Sequence, residues 1–332
     1  MTGRGDDWRP SASLERLRAR AAALACSREF FAARAVLEVD TPLLVQAPVS
    51  EVHLHSASVR LAAAPGEGTS SGDRQFFLHT SPEYAMKRLL AAGSGDIYQI
   101  CHVIRGCETG RLHNAEFTLI EWYRLGFTLE RLMDEVEALV RALLGARGTA
   151  LTAERLSYHA AFKREFGLDP FTASPASLAK AAEPLGFRGT AATERDEWLE
   201  LLMGAIVGPR LGRGALTFVY GYPSTQAALA RLEPRDPRVA RRFELYCEGV
   251  ELANGFEELT AAPEQRERFE RDNAARRRRG LPVAALDERL LAALEAGLPE
   301  CAGVALGFDR TLMLATGAQH IEQVLAFPTT RA

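Results

Sequence analysis

Between Thr80 and Arg124 the chain reads TSPEYAMKRLLAAGSGDIYQICHVIRGCETGRLHNAEFTLIEWYR. Glu83, Arg105, Glu108, His113, Asn114, Glu116, Phe117, Glu121 and Tyr123 all fall inside it, a density of acids, amides and rings that suits binding of a cation and a nucleotide. The segment 96–104 alternates apolar and polar residues as a half-buried strand does. GCETGRLHNA then supplies turn residues, and 117–124 alternates again, so the spacing predicts a hairpin with a long functional loop. Glu121 and Tyr123, two apart on the second strand, share a face with Phe117 and Leu119. Carboxylates and a phenol on one sheet face attract a cation. The competing reading is a solvated face with cross-strand salt bridges.

A second concentration lies in RFELYCEGVELANGFEE (242–258), where Glu244 and Glu251 flank Gly249, and Asn254 and Glu258 follow. Hard oxygen groups in such a pattern suit Mg²⁺, which takes one or two carboxylates plus substrate phosphates. Acid-rich hairpins are common, so the pattern alone is weak. The third stretch, GVALGFDR (303–310), alternates small residues that let another group approach the backbone closely. Arg310 follows it, suited to clamping phosphate or stacking on a base. The string is neither a Walker A loop nor a dinucleotide fingerprint, since it lacks the lysine and the third glycine.

The elements that must hold these residues are predicted as follows. Ser11 or Ser13 caps a helix reaching about Ala35, with Leu14, Leu17, Ala21, Leu24 and Phe31 as its apolar stripe. VLEVDTP (36–42) is a short strand stopped by Pro42. Residues 62–73 read as a flexible loop. Gln75–His79 is a strand, Ser81-Pro82-Glu83 a turn, and 83–92 a helix ended by Gly93. Thr128–Leu144 is an amphipathic helix, and 150–213 is helical, broken by Pro170, Pro175 and Pro184, as an insertion or lid on the main sheet. Leu216–Pro223 is a strand; 260–279 and 286–296 are helices. The run Arg276–Arg279 at a helix end reads as solvated and complementary to the helix dipole. No internal repeat is seen. Hairpin-joined strands with helices between them make the fold class α+β with a mostly antiparallel core.

With 332 residues and a formal charge of −3, the chain can bury a core and shows no bulk sign of a polyanion-binding surface. Five scattered cysteines without C-x-x-C argue for a reducing cytoplasm and against a zinc site or disulfide framework. No run reaches the length of a membrane helix.

Three signatures, a long helix plus strand ending in Pro42, a strand-loop-strand with Arg105 and the terminal glycine strand with Arg310, resemble those of the class II aminoacyl-tRNA synthetases. The strings TSPEYAMKRLLAAGSGDIYQIC, HNAEFTLIEWYR, RFELYCEGVELANGFEEL and AGVALGFDR make the resemblance specific. The likeness is strongest to the lysyl subgroup and, within it, to truncated paralogues that attach (R)-β-lysine to elongation factor P, and it covers nearly the whole chain. The resemblance implies a single catalytic domain over 1–332, with an antiparallel sheet flanked by helices and dimerisation through the first signature. It implies ATP and Mg²⁺ as cofactors, and a ligase that forms an aminoacyl-adenylate and transfers it to a lysine ε-amine. On matching positions, Arg105 binds the α-phosphate and the substrate carboxylate, and Phe117 and Arg310 sandwich the adenine. His113, Asn114, Cys107, Glu108, Glu251, Leu252 and Gly307 line the nucleotide, and Glu244 and Glu251 hold the metal. Ser81, Glu83, Glu121, Tyr123, Asn254, Glu258 and Ala305 surround a lysine-like substrate, with Arg105 and Arg310 closest to the chemistry.

Two features sharpen that expectation. The first signature begins almost at once, without an anticodon-binding domain before it, so the acceptor is not expected to be read through an anticodon. Ala305 stands where the α-lysine enzymes have glycine, and its methyl favours a shifted amine. Two departures oppose tight nucleotide binding. The second signature usually reads Arg-x-Glu, whereas Arg105-Gly106-Cys107 puts Glu108 one place late, and Ile104 replaces the usual phenylalanine. The alternatives are a minimal lysyl-tRNA synthetase acting on α-lysine and a catalytically silent regulatory paralogue.

Overall fold

The hairpin forms as expected: Ile97–Ile104 pairs antiparallel with Glu116–Leu125 in unbroken register, placing Gln99 opposite Glu121 and Ile97 opposite Tyr123. The structure is a computed structural model describing residues 8–62, 74–106, 109–186 and 194–332. The chain divides into two units. The first comprises Met1–Leu125, Thr260–Glu300 and Ala305–Ala332, and the second Gly126–Leu259 and Cys301–Val304.

The hairpin belongs to the first unit, and its burial corrects the half-buried alternation. Every residue from Thr118 to Arg124 is buried. A strand covered on both faces cannot offer its polar residues to water, so the solvated-face reading of Glu121 is wrong. Phe31 of the helix Leu14–Ala32 stacks on Tyr98 at 4.2 Å and meets Trp122 at 5.3 Å. Ser13 caps that helix by accepting from the Arg16 N–H. Of the predicted stripe only Phe31 is buried, together with Ser27 and Phe30 outside it, and Leu14 is 67% exposed. The inward line runs Arg20, Ser27, Phe31, which at 3.6 residues per turn lies about a third of a turn from Leu14 and Ala21.

Beside the hairpin, Leu37–Glu38 pairs parallel with Ile97 and Tyr98, and Leu44–Val45, Arg74–Leu78 and Ser58–Leu61 form a small antiparallel sheet. The segment 62–73, read as a flexible loop, lies almost wholly outside the described residues. The helix Glu83–Ala91 ends before Gly93, whose φ of +88° is one that L side chains rarely adopt. Helices Ala262–Arg278, Glu288–Gly297 and Phe308–Thr316 complete the unit. Arg276 departs from the solvated reading of the arginine run. It is buried and donates to the carbonyls of Pro282 at 2.7 Å and Glu51 at 3.1 Å. Its neighbours Arg277 to Arg279 are exposed.

In the second unit Asp236–Cys247 pairs antiparallel with Val250–Glu257 and with Ala215–Pro223. The two-residue turn Glu248-Gly249 has both φ angles positive, +53° and +75°, as the tightest hairpins require. Residues 150–213 are not helical throughout: Thr152–Ser157 is a strand paired parallel with Ala215–Pro223. Its alternating TAERLS pattern is too short to outweigh the helical segments around it. The helices that follow share one core with the sheet, in which Tyr158, Phe162, Trp198 and Leu202 pack with Val219, Tyr222 and Tyr246. Leu37–Glu38 and Thr152–Ser157 pair parallel while the other described strand pairs are antiparallel, so the mostly antiparallel α+β reading holds. Among the described residues no helix is long and apolar enough to cross a membrane.

At Gly212 a second stretch of backbone comes close. The glycine's φ is +67°, and a Cβ there would stand 2.6 Å from the Tyr246 carbonyl oxygen. Gly214 has a similar φ of +68° with open space around it. Gly212→Ala is therefore expected to cost about 3 kcal/mol or more, and Gly214→Ala only about 1–2 kcal/mol, read from urea unfolding midpoints.

Candidate active site

At the centre of the first unit a hydrogen-bonded chain links four of the sequence-selected residues to one another. Glu121 is 2% exposed. Its Oε2 accepts from the Ser81 hydroxyl at 2.8 Å and its Oε1 from the Tyr123 hydroxyl at 2.8 Å. Ser81 Oγ in turn accepts from the Glu83 N–H at 3.0 Å, so one hydroxyl fixes both a buried carboxylate and the start of the helix carrying Glu83. The i, i+2 spacing of Glu121 and Tyr123 produces their contact directly. The link to Ser81 spans forty positions and is tertiary. A buried carboxylate held by two hydroxyl donors exchanges water for fixed hydrogen bonds, a setting that suits it to receive an ammonium ion.

Sequence reasoning passed over Lys87. Its side chain is 1% exposed and its Nζ lies 2.7 Å from Glu83 Oε1, one helical turn along. The i, i+4 spacing on a predicted helix was the available signal. Gln99, opposite Glu121, and Cys101 were missed too; both sit on the strand that faces it. The Cys101 thiol is pushed up to about 12, first by burial and then by the charge of Glu121.

A second group surrounds the long loop. The Arg105 guanidinium lies 5.2 Å from the Phe117 ring centroid, and its Nε donates to the Thr80 carbonyl at 3.4 Å. Arg310 donates through Nε to the Leu112 carbonyl at 3.2 Å and lies 2.7 Å from His113 Nε2. Since arginine only donates, that nitrogen is the acceptor and the ring is neutral. The Asn114 amide is committed to the protein: it donates to the Glu116 carbonyl at 2.6 Å and accepts from the Thr329 N–H and hydroxyl. Ala305 and Gly307, at the end of the strand Cys301–Gly307, are half-buried. Cys107 and Glu108 lie outside the described residues.

Arg310 is placed by its neighbour. Asp309 is 1% exposed, pairs with Arg20 of the first helix and accepts from the Thr118 N–H at 2.7 Å. Arg20 Nη2 also donates to the Thr118 hydroxyl at 2.6 Å. Three distant pieces of chain thus meet on one aspartate, none of which the sequence reading linked.

In the second unit Glu244 stands opposite Asn254, and Tyr246 opposite Glu251. Cross-strand partners share a face, so these four side chains line one side of the sheet. Glu244 accepts from the Tyr246 hydroxyl at 2.6 Å and from Arg242 at 2.5 Å, and Arg242 also donates to Asn254 at 3.2 Å. Burial and then the charge of Glu244 push the Tyr246 phenol well up, so it stays a neutral donor. Arg242, two residues before Glu244, was legible by strand periodicity and was missed. Leu252 is buried at the strand irregularity, and Glu258 is buried with its N–H donating to the Cys301 carbonyl at 3.0 Å. Among the described residues no three His, Cys, Asp or Glu side chains gather where they could hold a metal.

A family model for the class II tRNA synthetases of the D, K and N group matches residues 2–331. The chain belongs to the class II tRNA synthetases. Within reach of that family are curated relatives named elongation factor P–(R)-β-lysine ligase. The Klebsiella pneumoniae subsp. pneumoniae protein is 50% identical over 327 residues, 98% of both chains. The Pectobacterium carotovorum protein has the same identity and coverage, and that of Vibrio parahaemolyticus is 49% identical over 324 residues, 97% of this chain and 98% of its own. The α+β architecture is that of a class II synthetase domain.

The elevated Cys101 thiol gives a reading of the cluster that needs no substrate. At pH 8 its alkylation by iodoacetamide is expected to be slower than that of a free thiol by about a hundredfold or more. Glu121→Gln removes one cause of the shift and is expected to raise the rate, followed by mass spectrometry.

Proposed function

We propose that the chain is an ATP-dependent ligase that activates (R)-β-lysine as its aminoacyl-adenylate and transfers it to a lysine ε-amine of elongation factor P. The observation that carries this reading is the buried Glu121 with its two hydroxyl donors, in a chain half identical to relatives named for that ligation. The substrate's ammonium groups sit between Glu83 and the Glu121–Tyr123 pair, with Ser81 aligning both and Ala305 completing the binding. Arg105 receives the substrate carboxylate and the α-phosphate, bringing attacking oxygen and phosphorus into line as pyrophosphate leaves, and the acceptor ε-amine then displaces AMP from the adenylate. Positioning and charge neutralisation then suffice for adenylation, without a general base.

Phe117 and Arg310 hold the adenine between them, and His113, as a neutral acceptor, keeps the guanidinium in place. Asn114 serves the nucleotide by anchoring its loop, while Gly307 lines it. Glu244 and Glu251 are the Mg²⁺ ligands. Two carboxylates on one sheet face fit an ion that takes its other ligands from phosphate and water. Mg²⁺ supplies charge neutralisation to the phosphates. The protein works in the cytoplasm.

A homodimer is also part of the proposal. Trp8, Leu14, Leu37, Leu43, Leu44 and Leu61 are exposed large apolar residues, all within the first 61 positions. A second copy that covers them removes this apolar surface from water. Sedimentation velocity is expected to give a dimer, and Leu37→Asp with Leu44→Asp to shift it toward monomer.

Pyrophosphate exchange tests the activity. Exchange with (R)-β-lysine is expected to exceed that with α-lysine, and the product to label elongation factor P while leaving bulk tRNA uncharged. Faster exchange with α-lysine, or charging of tRNA, would make the chain a minimal lysyl-tRNA synthetase; no ATP binding by calorimetry with Mg²⁺ would make it a silent paralogue. Glu121→Gln is expected to weaken amino-acid binding by about 2–5 kcal/mol, because it leaves a desolvated ammonium short of charge.

A further inference from the structure

The proposed amine pocket already contains an ammonium group of the protein itself. Lysine is among the residue types least often fully buried, yet the Lys87 side chain is 1% exposed and its Nζ lies 2.7 Å from Glu83 Oε1. Glu83 keeps 15% exposure, so with Oε1 turned onto Lys87 its second oxygen is the one offered outward. Glu121 is fixed differently, with a hydroxyl donor on each oxygen. Ser81 joins the two acids through the Glu83 N–H and Glu121 Oε2, so their spacing is set by one residue.

Two acids held this rigidly can measure the distance between two amines. Moving an amine from one carbon to the next shifts it by about 1.5 Å, a single C–C bond. A carboxylate free to turn would follow that shift; one whose Oε1 is tied by an ion pair cannot. We propose that Lys87 is a positioning residue for substrate specificity: by holding Glu83 Oε1 it leaves a single carboxylate oxygen at a single place, and so discriminates between positional isomers of a diamino acid. The inference rests on the reading of Glu83 as the acceptor of a substrate amine. It adds a residue that acts on the substrate through Glu83.

The experiment is a double-mutant cycle in the full-length protein, read by pyrophosphate exchange. For Lys87→Met the ratio of kcat/KM for (R)-β-lysine over α-lysine is expected to fall by about tenfold or more, since a turning carboxylate accepts both amine positions. The KM for ATP is expected to stay within about twofold, a split that general loosening of the fold would not give. Lys87→Arg, which keeps the charge, is expected to recover part of the discrimination. In a Glu83→Gln background Lys87→Met is expected to change the ratio no further. An unchanged ratio in Lys87→Met, or an equal loss in both backgrounds, would overturn the inference. Should Lys87→Met fail to fold, Glu83→Gln is compared with Glu83→Gln/Lys87→Met, in which both charges are gone; equal ratios support the inference and a further fall refutes it. Glu83→Gln alone separates the two levels. If it leaves the amino-acid KM unchanged, the reading of Glu83 fails and this inference with it. If it raises that KM while Lys87→Met leaves the ratio intact, only the role of Lys87 fails.

Discussion

The first unit is organised around the cost of burying charge. Glu121, Lys87, Asp309 and Arg124 are all under a tenth exposed, and an ion taken from water in this way must find compensation inside the protein. Each has a specific partner: hydroxyls for Glu121, Glu83 for Lys87, Arg20 for Asp309, and Asp96 for Arg124 at 3.0 Å. Removing either member of such a pair takes compensation away from a buried charge, so the partners are tied to one another more strictly than apolar neighbours of similar volume would be. That strictness suits a site that must measure the position of charge on a ligand.

The same constraint joins parts of the chain that are far apart in sequence. Arg20 and Asp309 are separated by 289 positions and meet at Thr118, the residue after Phe117. Asp309 in turn precedes Arg310, so the placement of that guanidinium depends on the first helix and the hairpin together. The C-terminal segment takes part as well, through Thr329 and Asn114. The loop is held by backbone too: the Gly106 N–H donates to the His55 carbonyl at 2.8 Å, and a Cβ at Gly106 would stand 3.2 Å from that oxygen.

The second unit uses another arrangement for its acids. Glu257, turned away from the Glu244 face, is buried between Arg231 and Arg241, and Arg241 also reaches Glu233 at 2.8 Å. Glu244 by contrast shares a half-buried arginine and a phenol. One strand pair thus carries a structural ion network on one face and, on the other, Glu244 with Arg242, Tyr246 and Asn254. Side-chain alternation along a strand is what keeps the two apart.

Local spacing was enough to identify the hairpin, the Glu121–Tyr123 pair, the helix beginning at Glu83, the turn at Gly249 and the carboxylates around it. Each depends on the strand period of two, the helix period of 3.6 or the backbone freedom of glycine, and neighbours in the chain settle these. Family resemblance supplied the roles of the selected residues. Spacing could not tell that Glu121 is buried, because alternation looks the same whether or not a second layer covers the strand. Nor could it show the inward line of the first helix, the strand at Thr152–Ser157 or the burial of Arg276. The contacts of Ser81 with Glu121 and of Arg20 with Asp309 likewise belong to the tertiary structure alone. They join residues forty and 289 positions apart, and only the folded chain brings such groups within hydrogen-bonding distance.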